Sequence, residues 1–442
     1  MIDAFRCSCA ALLMTWGLSA CGSSNADSPS NTAGVSGTAV AGSGATSGAG
    51  GAGGASTGGT GAGGATSGSA GSLIEAGSGG TSGAAGTAVA GTAGASAGAS
   101  GSAAGSSGSG GGTAGSLNYG GSAGYQPWPG GNAVVTVDPV DTYASDLSAL
   151  QYEAASTGPA VLWAAQNSPS KLYRLLWNGT TWASDTANGW SSGKTLRFAN
   201  GSGAPDSEGV TRTAAGALYV SIERDNDDGN VSRLSVLQYD GSTAGSTLNA
   251  LREWNLTSDL PKTGANLGLE AIAWVPDTYL VASGFTDESK KAPYAPANYG
   301  DHADGIFFVG VEGSGMIYGF ALNHANNTFT RVASIESGNA GIMDLSFDRD
   351  VGYLYAVCDD TCNGRINLLA IDTRPASATK GTFIIRRGFE RPSSMPNLNN
   401  EGFTVTTEST CQAGFKAVFY AEDGSTNGHA IRRDSLPCGA FL

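Results

Sequence analysis

Five times between Glu153 and Glu401 the chain repeats one short design: an acidic residue, a small or apolar residue, a brief β-prone run, a turn, and a second β run. The copies open at Glu153-Ala154, Glu208-Gly209, Glu270-Ala271, Asp344-Leu345 and Glu401-Gly402. Their second runs are Val161-Leu162-Trp163, Leu218 to Asp225, Tyr279-Leu280-Val281, Tyr353 to Asp360, and Ala417 to Asp423. A period of tens of residues marks a repeat architecture, and about 40–50 residues with four strands per unit is what a propeller blade needs. The expected fold class is therefore all-β, a β-propeller of five four-stranded blades. Six blades is the alternative, because the long first and third units have room for an irregular one.

The copies continue into further strands. In the second, Ser207 to Thr211, Leu218 to Ile222, Leu234 to Tyr239 and Leu251 to Leu256 read as four strands punctuated by Gly, Asn and Asp. The third carries a loop-like insertion from Thr286 to Asp304 before Gly305 to Gly310 and Met316 to Phe320 resume the meander. The fourth continues through Ile366 to Ile371 and Thr382 to Arg386. The fifth runs out of chain, while an unclaimed strand, Ala133 to Val137, stands at the domain's start. A closed ring solves this: the N-terminal strand supplies the outer strand of the last blade and removes an exposed edge. A β-sandwich would not explain units about sixty residues apart that begin with one residue class.

Three compositional segments precede or hold this pattern. Residues 1–20 read as a secretory signal, with Arg6 as its positive start and an apolar stretch from Ala10 to Leu18. It ends in Leu18-Ser19-Ala20-Cys21, which resembles a bacterial lipobox. That resemblance implies cleavage before Cys21, a lipid on Cys21 and attachment to a membrane, with Gly22 and Ser23 favouring the outer membrane or cell surface. An ordinary cleaved signal is the alternative. Residues 21–124 are Gly, Ala, Ser and Thr with almost no aromatic residues, so they cannot bury enough apolar surface to offset ordering entropy. They are expected to form a disordered tether whose ends lie roughly 50–60 Å apart. Gly120-Gly121-Ser122-Ala123-Gly124 matches a nucleophile pattern, but such a tract produces that match without a strand and helix around it.

Residues 125–442 form the remaining domain. With Arg6, Asp3, Asp27 and Glu75 outside it, this segment keeps 22 basic and 34 acidic residues, a net charge of −12. Nucleic acid is excluded as a partner, since phosphate binding needs a basic face. A monomer is expected. Four of the seven cysteines lie here, Cys358, Cys362, Cys411 and Cys438. In an exported protein an even count points to disulfides; three pairings exist, and proximity favours Cys358 with Cys362 and Cys411 with Cys438. Zinc is the weaker reading, because no His lies near the C-x-x-x-C spacing.

In a propeller the first strand of each blade lines the central channel, so Glu153, Glu208, Glu270, Asp344 and Glu401 are expected near one mouth of it. Carboxylates this close repel unless protonated or neutralised, and a hard ion such as Ca²⁺ accepts carboxylates, carbonyls and water together. The alternative is that each acid is held separately by backbone amides. A second set follows the second strands: Glu223, Arg224, Asp225 and Asn226; Asp287 and Glu288; Asp359 and Asp360; Glu422 and Asp423. Arg224 stands out as a residue that can pair an anion bidentately. His302 lies between Asp301 and Asp304 and is a candidate base or ligand; His429 precedes a strand near Arg432 and Arg433, and His324 reads as a surface turn.

Asp206-Ser207-Glu208-Gly209-Val210 followed by Tyr219 to Asp225, with Gly268-Leu269-Glu270-Ala271-Ile272 and Asn399-Asn400-Glu401-Gly402-Phe403, resembles the exported family named for an esterase-like activity of phytase. The resemblance covers most of 125–442. It implies an acidic channel and Ca²⁺-assisted hydrolysis of an ester or phosphoester; Glu208, Glu270, Glu401, His302 and Arg224, read from their own positions in the chain, are the catalytic candidates for it. The chain departs from it in lacking the Lys- and Arg-rich face that a polyanion such as phytate requires. The second function class is a non-catalytic propeller that binds a glycan or protein through Trp163, Trp177, Trp182, Trp190, Trp254 and Trp274.

Overall fold

The computed structural model describes residues 124–441 apart from 144, 156 and 157. The signal at 1–20, Cys21 and the tether up to residue 123 lie outside the described residues. The rest is built on five mainly antiparallel blade sheets, with a small two-stranded sheet, Thr286–Asp287 with Ala292–Pro293, in the blade-three insertion; the innermost blade strands are Leu147–Glu153, Pro205–Arg212, Leu269–Pro276, Asp344–Asp348 and Asn400–Val405. Each inner strand neighbours the next, and the fifth returns to the first, so the sheets close a ring.

Closure follows the expected route. Val135 pairs with Arg433 and Thr136 with Arg432, which makes the N-terminal strand the outer edge of blade five, outside His429–Pro437, Phe415–Thr426 and Asn400–Val405. Edge strands expose unpaired backbone groups, and closing the ring with the other terminus protects the last blade from inward fraying. Cys411–Cys438 staples the same blade, and Cys358–Cys362 closes a short turn in blade four, as the spacing predicts.

Five apolar clusters lie between successive blades, as twisted sheets packed face to face require. Leu162, Trp182, Phe419 and Ile431 fill the seam between blades five and one, and Trp163, Trp190, Val220 and Leu237 the seam between one and two. Tyr219, Trp254, Trp274 and Phe307 follow between two and three, with Phe308, Leu354 and Phe383 between three and four. Tyr355, Phe403 and Val418 complete the circle. At roughly 1.5–3 kcal/mol for each large side chain fully buried, this seam packing is the main source of ring stability.

Two blades depart from the expected strands. Tyr279-Leu280-Val281 is not the second strand of blade three: Asp277–Ala282 is a short α-helix that buries Leu280, and Gly305–Val311 is the second strand. An apolar run this short does not distinguish strand from helix, and Pro276 ends the inner strand by starting the helix. Blade one is widened at its rim by Trp182–Ser184, Lys194–Arg197 and, in parallel to the latter, Thr247–Asn249 from blade two's outer connection.

Candidate functional site: an acidic channel mouth

Strand register defines the site. Ala149 pairs with Ala165, Gly209 with Ser221, Ala271 with Gly310, Asp344 with Val357, and Gly402 with Ala421. These first-named positions are where neighbouring inner strands nearly touch. A Cβ on Gly209 would lie 2.8 Å from Ile272 N, and one on Gly402 3.0 Å from the Ala149 carbonyl carbon. The small residue after each acid is thus a steric requirement of the ring axis.

The residues just before these positions are Ser148, Glu208, Glu270, Met343 and Glu401. Register shifts at Ser148, Glu208, Glu270 and Glu401 mark β-bulges, which re-aim side chains. Two residues beyond each partner on the second strands come Asn167, Glu223, Glu312, Asp359 and Asp423. Eight of these ten, with Asn266 and Asn399, line one cavity of about 230 Å³ at the channel mouth.

Three of the five anticipated channel acids therefore meet, Glu208, Glu270 and Glu401, and two do not. Glu153 stands at the far end of its strand, where it accepts from Trp163 Nε1 at 2.8 Å and pairs with Arg212 at 3.1 Å. Blade one begins six residues earlier than Glu153, and Ser148 holds the matching position. Asp344 sits one residue late, at the small-residue position. Its carboxylate is buried and accepts from Phe403 N at 2.6 Å and Leu345 N at 2.7 Å, the separate backbone capping set out above as the alternative. Met343 takes the acid's place.

Of the second set, Glu223 and Asp359 reach the cavity. Asp423 is held behind it by Asn399 Nδ2 at 3.2 Å, an amide that also donates to Glu401 at 3.0 Å. Glu422 pairs with Arg432 at 2.7 Å, and Asp287 accepts from Ser289 and Tyr299 in the blade-three insertion. Arg224 is pinned beside the mouth by Asp206 at 2.6 Å, Glu223 at 3.3 Å and the Ala265 carbonyl at 3.0 Å. It neutralises neighbouring acids.

His302 belongs elsewhere. It lies at the other end of blade three, buried between Asp277 at 3.0 Å and Tyr294 at 3.2 Å, with Nδ1 donating to the Gly300 carbonyl at 2.5 Å. His324 is also buried, bonded to Tyr219 at 2.8 Å, and not a surface turn. Glu312, Asp206 and Ser148 were not separable by sequence pattern; only the register reveals them.

The electrostatics are severe. Burial, followed by the charge of Asp206, holds the Glu208 carboxyl well above its usual range, and burial with Glu208's charge does the same to Glu270. Burial and the neighbouring Glu223 and Asp359 raise Glu312 to about 7; burial and Asp423 raise Glu401 to about 8. One carboxylate oxygen each from Asp206, Glu208 and Glu223 lie within 4.8 Å of one another, as do those of Glu223, Glu270 and Glu312, so Glu223 is common to both groups. Glu208 is 3% exposed, yet its Oε2 makes no well-formed hydrogen bond, and neither does Asn167 Oδ1; the Ser148 hydroxyl lies beside Glu208 and Glu401 and favours their ionised forms. Buried acceptors without donors are rare because each costs about 1–3 kcal/mol. A cation ringed by oxygen would satisfy all of them, and the donor set is that of a hard ion. Cys358 and Cys362 beside Asp359 are disulfide-bonded, so they are not thiolate ligands.

The tryptophans are mostly core: Trp163, Trp182, Trp190, Trp254 and Trp274 are buried, and Trp177 alone of the six is 38% exposed.

No family model matches the chain, and no curated protein matches it. Among solved structures it is similar to a chain of the mitotic checkpoint complex, at 10% identity and a TM-score of 0.32 over 72% of this chain and 93% of that one. It is also similar to a functionally unknown protein from Desulfotomaculum acetoxidans, at 9% identity and a TM-score of 0.32 over 70% of this chain and 78% of that one.

Proposed function

We propose that the channel mouth holds a divalent cation, Ca²⁺, and that the chain is a hydrolase of an ester or phosphoester, exported and tethered through Cys21 to the outer membrane or cell surface. The unpartnered oxygens of Glu208 and Asn167, in a cavity whose carboxylates cannot all ionise together, carry this reading. Glu208, Glu223, Glu270 and Glu312 would hold the ion, with the Asn167 carbonyl oxygen completing an all-oxygen set. Bound there, Ca²⁺ would supply Lewis acidity toward a phosphoryl or ester oxygen.

The chain's own groups supply the remainder. Glu401, outside that ligand set and raised to about 8, is poised to take or give a proton near neutral pH, where general acid–base catalysis is most effective. Asn399 orients Glu401 through its 3.0 Å hydrogen bond. Arg224 partly offsets the burial that raises Asp206 and Glu223, and so favours their ionised forms beside the ion. The resemblance of the E-G and E-A blade starts to the esterase-like phytase family agrees with this assignment.

The test is hydrolysis of p-nitrophenyl acetate and p-nitrophenyl phosphate by the full chain, with Ca²⁺ and with chelator. Activity that needs Ca²⁺ and is lost in Glu223→Gln supports the proposal. Calcium binding without turnover of either ester would leave a metal-stabilised ring and refute the hydrolase assignment.

A further inference from the structure

A second cavity, of about 620 Å³, opens between blades five and one on the face opposite the acidic mouth. Its position follows from its lining: Tyr152 and Thr406 lie at or just past the ends of inner strands that begin near Ser148 and Glu401. One wall comes from blade five. Phe415 and Phe419 are four residues apart on one strand, and Phe419 pairs with Arg433, so all three side chains share one face. The other wall comes from blade one, where Trp177 pairs with Trp182 at a ring separation of 5.7 Å. Trp182 meets Phe419 edge-on at 5.6 Å, and Tyr152 stacks on Phe419 at 6.4 Å, so the floor is fixed by aromatic contacts.

Two features mark this seam. Trp177 and Phe415, on opposite lips, are 38% and 43% exposed, although both belong to a hydrophobic face. Arg433 is exposed on the wall, and no ion pair or side-chain hydrogen bond engages it among the described residues. Asp434 and Lys416 also line the cavity, but Asp434, whose charge Arg433 favours, is held by Ser435, Ala133 and Trp128, and Lys416 is paired with Asp348 and Glu408. The Arg433 guanidinium stands without an ion pair of its own over an aromatic cleft of small-molecule size.

We infer that this cleft binds a planar, largely apolar small molecule carrying one anionic group. The rings of Trp177, Trp182 and Phe415 take its apolar body, and Arg433 takes its carboxylate, sulfate or sulfonate bidentately. The assignment uses no residue of the acidic mouth and requires no cation.

The experiment is fluorescence titration of the full chain with anilinonaphthalene sulfonate and with its uncharged analogue N-phenylnaphthylamine, in chelator. One saturable site for the sulfonate is expected. Trp177→Ala and Phe415→Ala should each weaken it about tenfold or more. Arg433→Gln should weaken the sulfonate about tenfold and leave the neutral probe unchanged. All three positions are exposed, and unchanged melting temperatures will show that the ring persists. Sulfonate binding unaffected by both aromatic substitutions, or equal affinity of wild type for both probes, would overturn the inference. Binding that appears only after residues 1–123 are removed would also overturn it, by showing that the chain's own N-terminal segment fills the cleft.

Discussion

Without a cation, the mouth makes the ring less stable as pH rises. Glu401 and Glu312 have folded-state pKa values of about 8 and about 7 against an ordinary 4.5, chiefly through burial and then through Asp423 and Glu223 respectively. Between pH 4.5 and 8 the unfolded chain therefore holds fewer protons than the folded one, so stability present below 4.5 is lost as pH rises through those values. At about 1.4 kcal/mol per pH unit, ceilings of about 5 kcal/mol for Glu401 and about 3.5 for Glu312 follow. Water entering the mouth and relaxation of the rim lower these ceilings. A net fall of about 3 kcal/mol between pH 5 and pH 8.5 is expected, a drop in Tm of about 5 °C for a domain of this size. The assay is thermal and guanidinium unfolding in chelator across that range, wild type beside Glu401→Gln. The variant should lose about half the slope and exceed wild type by about 1–2 kcal/mol at pH 8.5. Wild-type stability that is flat or rises with pH, or a variant with an undiminished slope, would refute the reasoning.

Arg224→Gln should cost about 3 kcal/mol at pH 7 by guanidinium unfolding, because buried Asp206 loses its 2.6 Å partner, and distinctly less at pH 5; an equal cost at both pH values would contradict the pairing. Replacing Cys411 and Cys438 by serine opens a loop whose ends are 27 residues apart and should lower stability by about 3–4 kcal/mol, read by unfolding with and without reductant. His302 should titrate above 6.5 by NMR: burial opposes its charge, but Asp277 and the Gly300 carbonyl outweigh burial. Its stabilising contribution is then complete below 6.5 and lost as pH passes its raised value, and Asp277→Asn should bring the midpoint below 6.5. Gly402→Val should destabilise the ring by about 3 kcal/mol or prevent folding, since the added carbon meets blade one's backbone.

The propeller was legible because its own geometry writes the repeat. Inner strands crowd at the axis, so an acid aimed by a bulge is followed by Gly or Ala, and the N-terminal strand had only one place to go. The same repeat misled at Glu153, where Glu-Ala falls by coincidence at the far end of a strand whose true start is Ser148-Ala149. It misled at Asp344 by a single residue, enough to move the side chain from the mouth into the inter-blade seam. Glu312 was hidden because Val311-Glu312-Gly313 looks like any acidic turn until register places it two positions beyond Gly310. The helix at Asp277–Ala282 was hidden because three apolar residues carry no period.

The central claim is tested most directly by calorimetric titration of the chelator-treated full chain with Ca²⁺ at pH 7, wild type against Glu223→Gln, in two buffers of different ionisation enthalpy. Glu223 belongs to both carboxylate groups, and its replacement keeps an oxygen for the Gly268 amide that bonds it at 2.7 Å. The account predicts stoichiometric binding by wild type with release of at least one proton, as the ion displaces protons from the raised carboxyls, and binding weakened more than tenfold in the variant. Absence of calcium binding by wild type, or binding that releases no proton and survives Glu223→Gln, would contradict it.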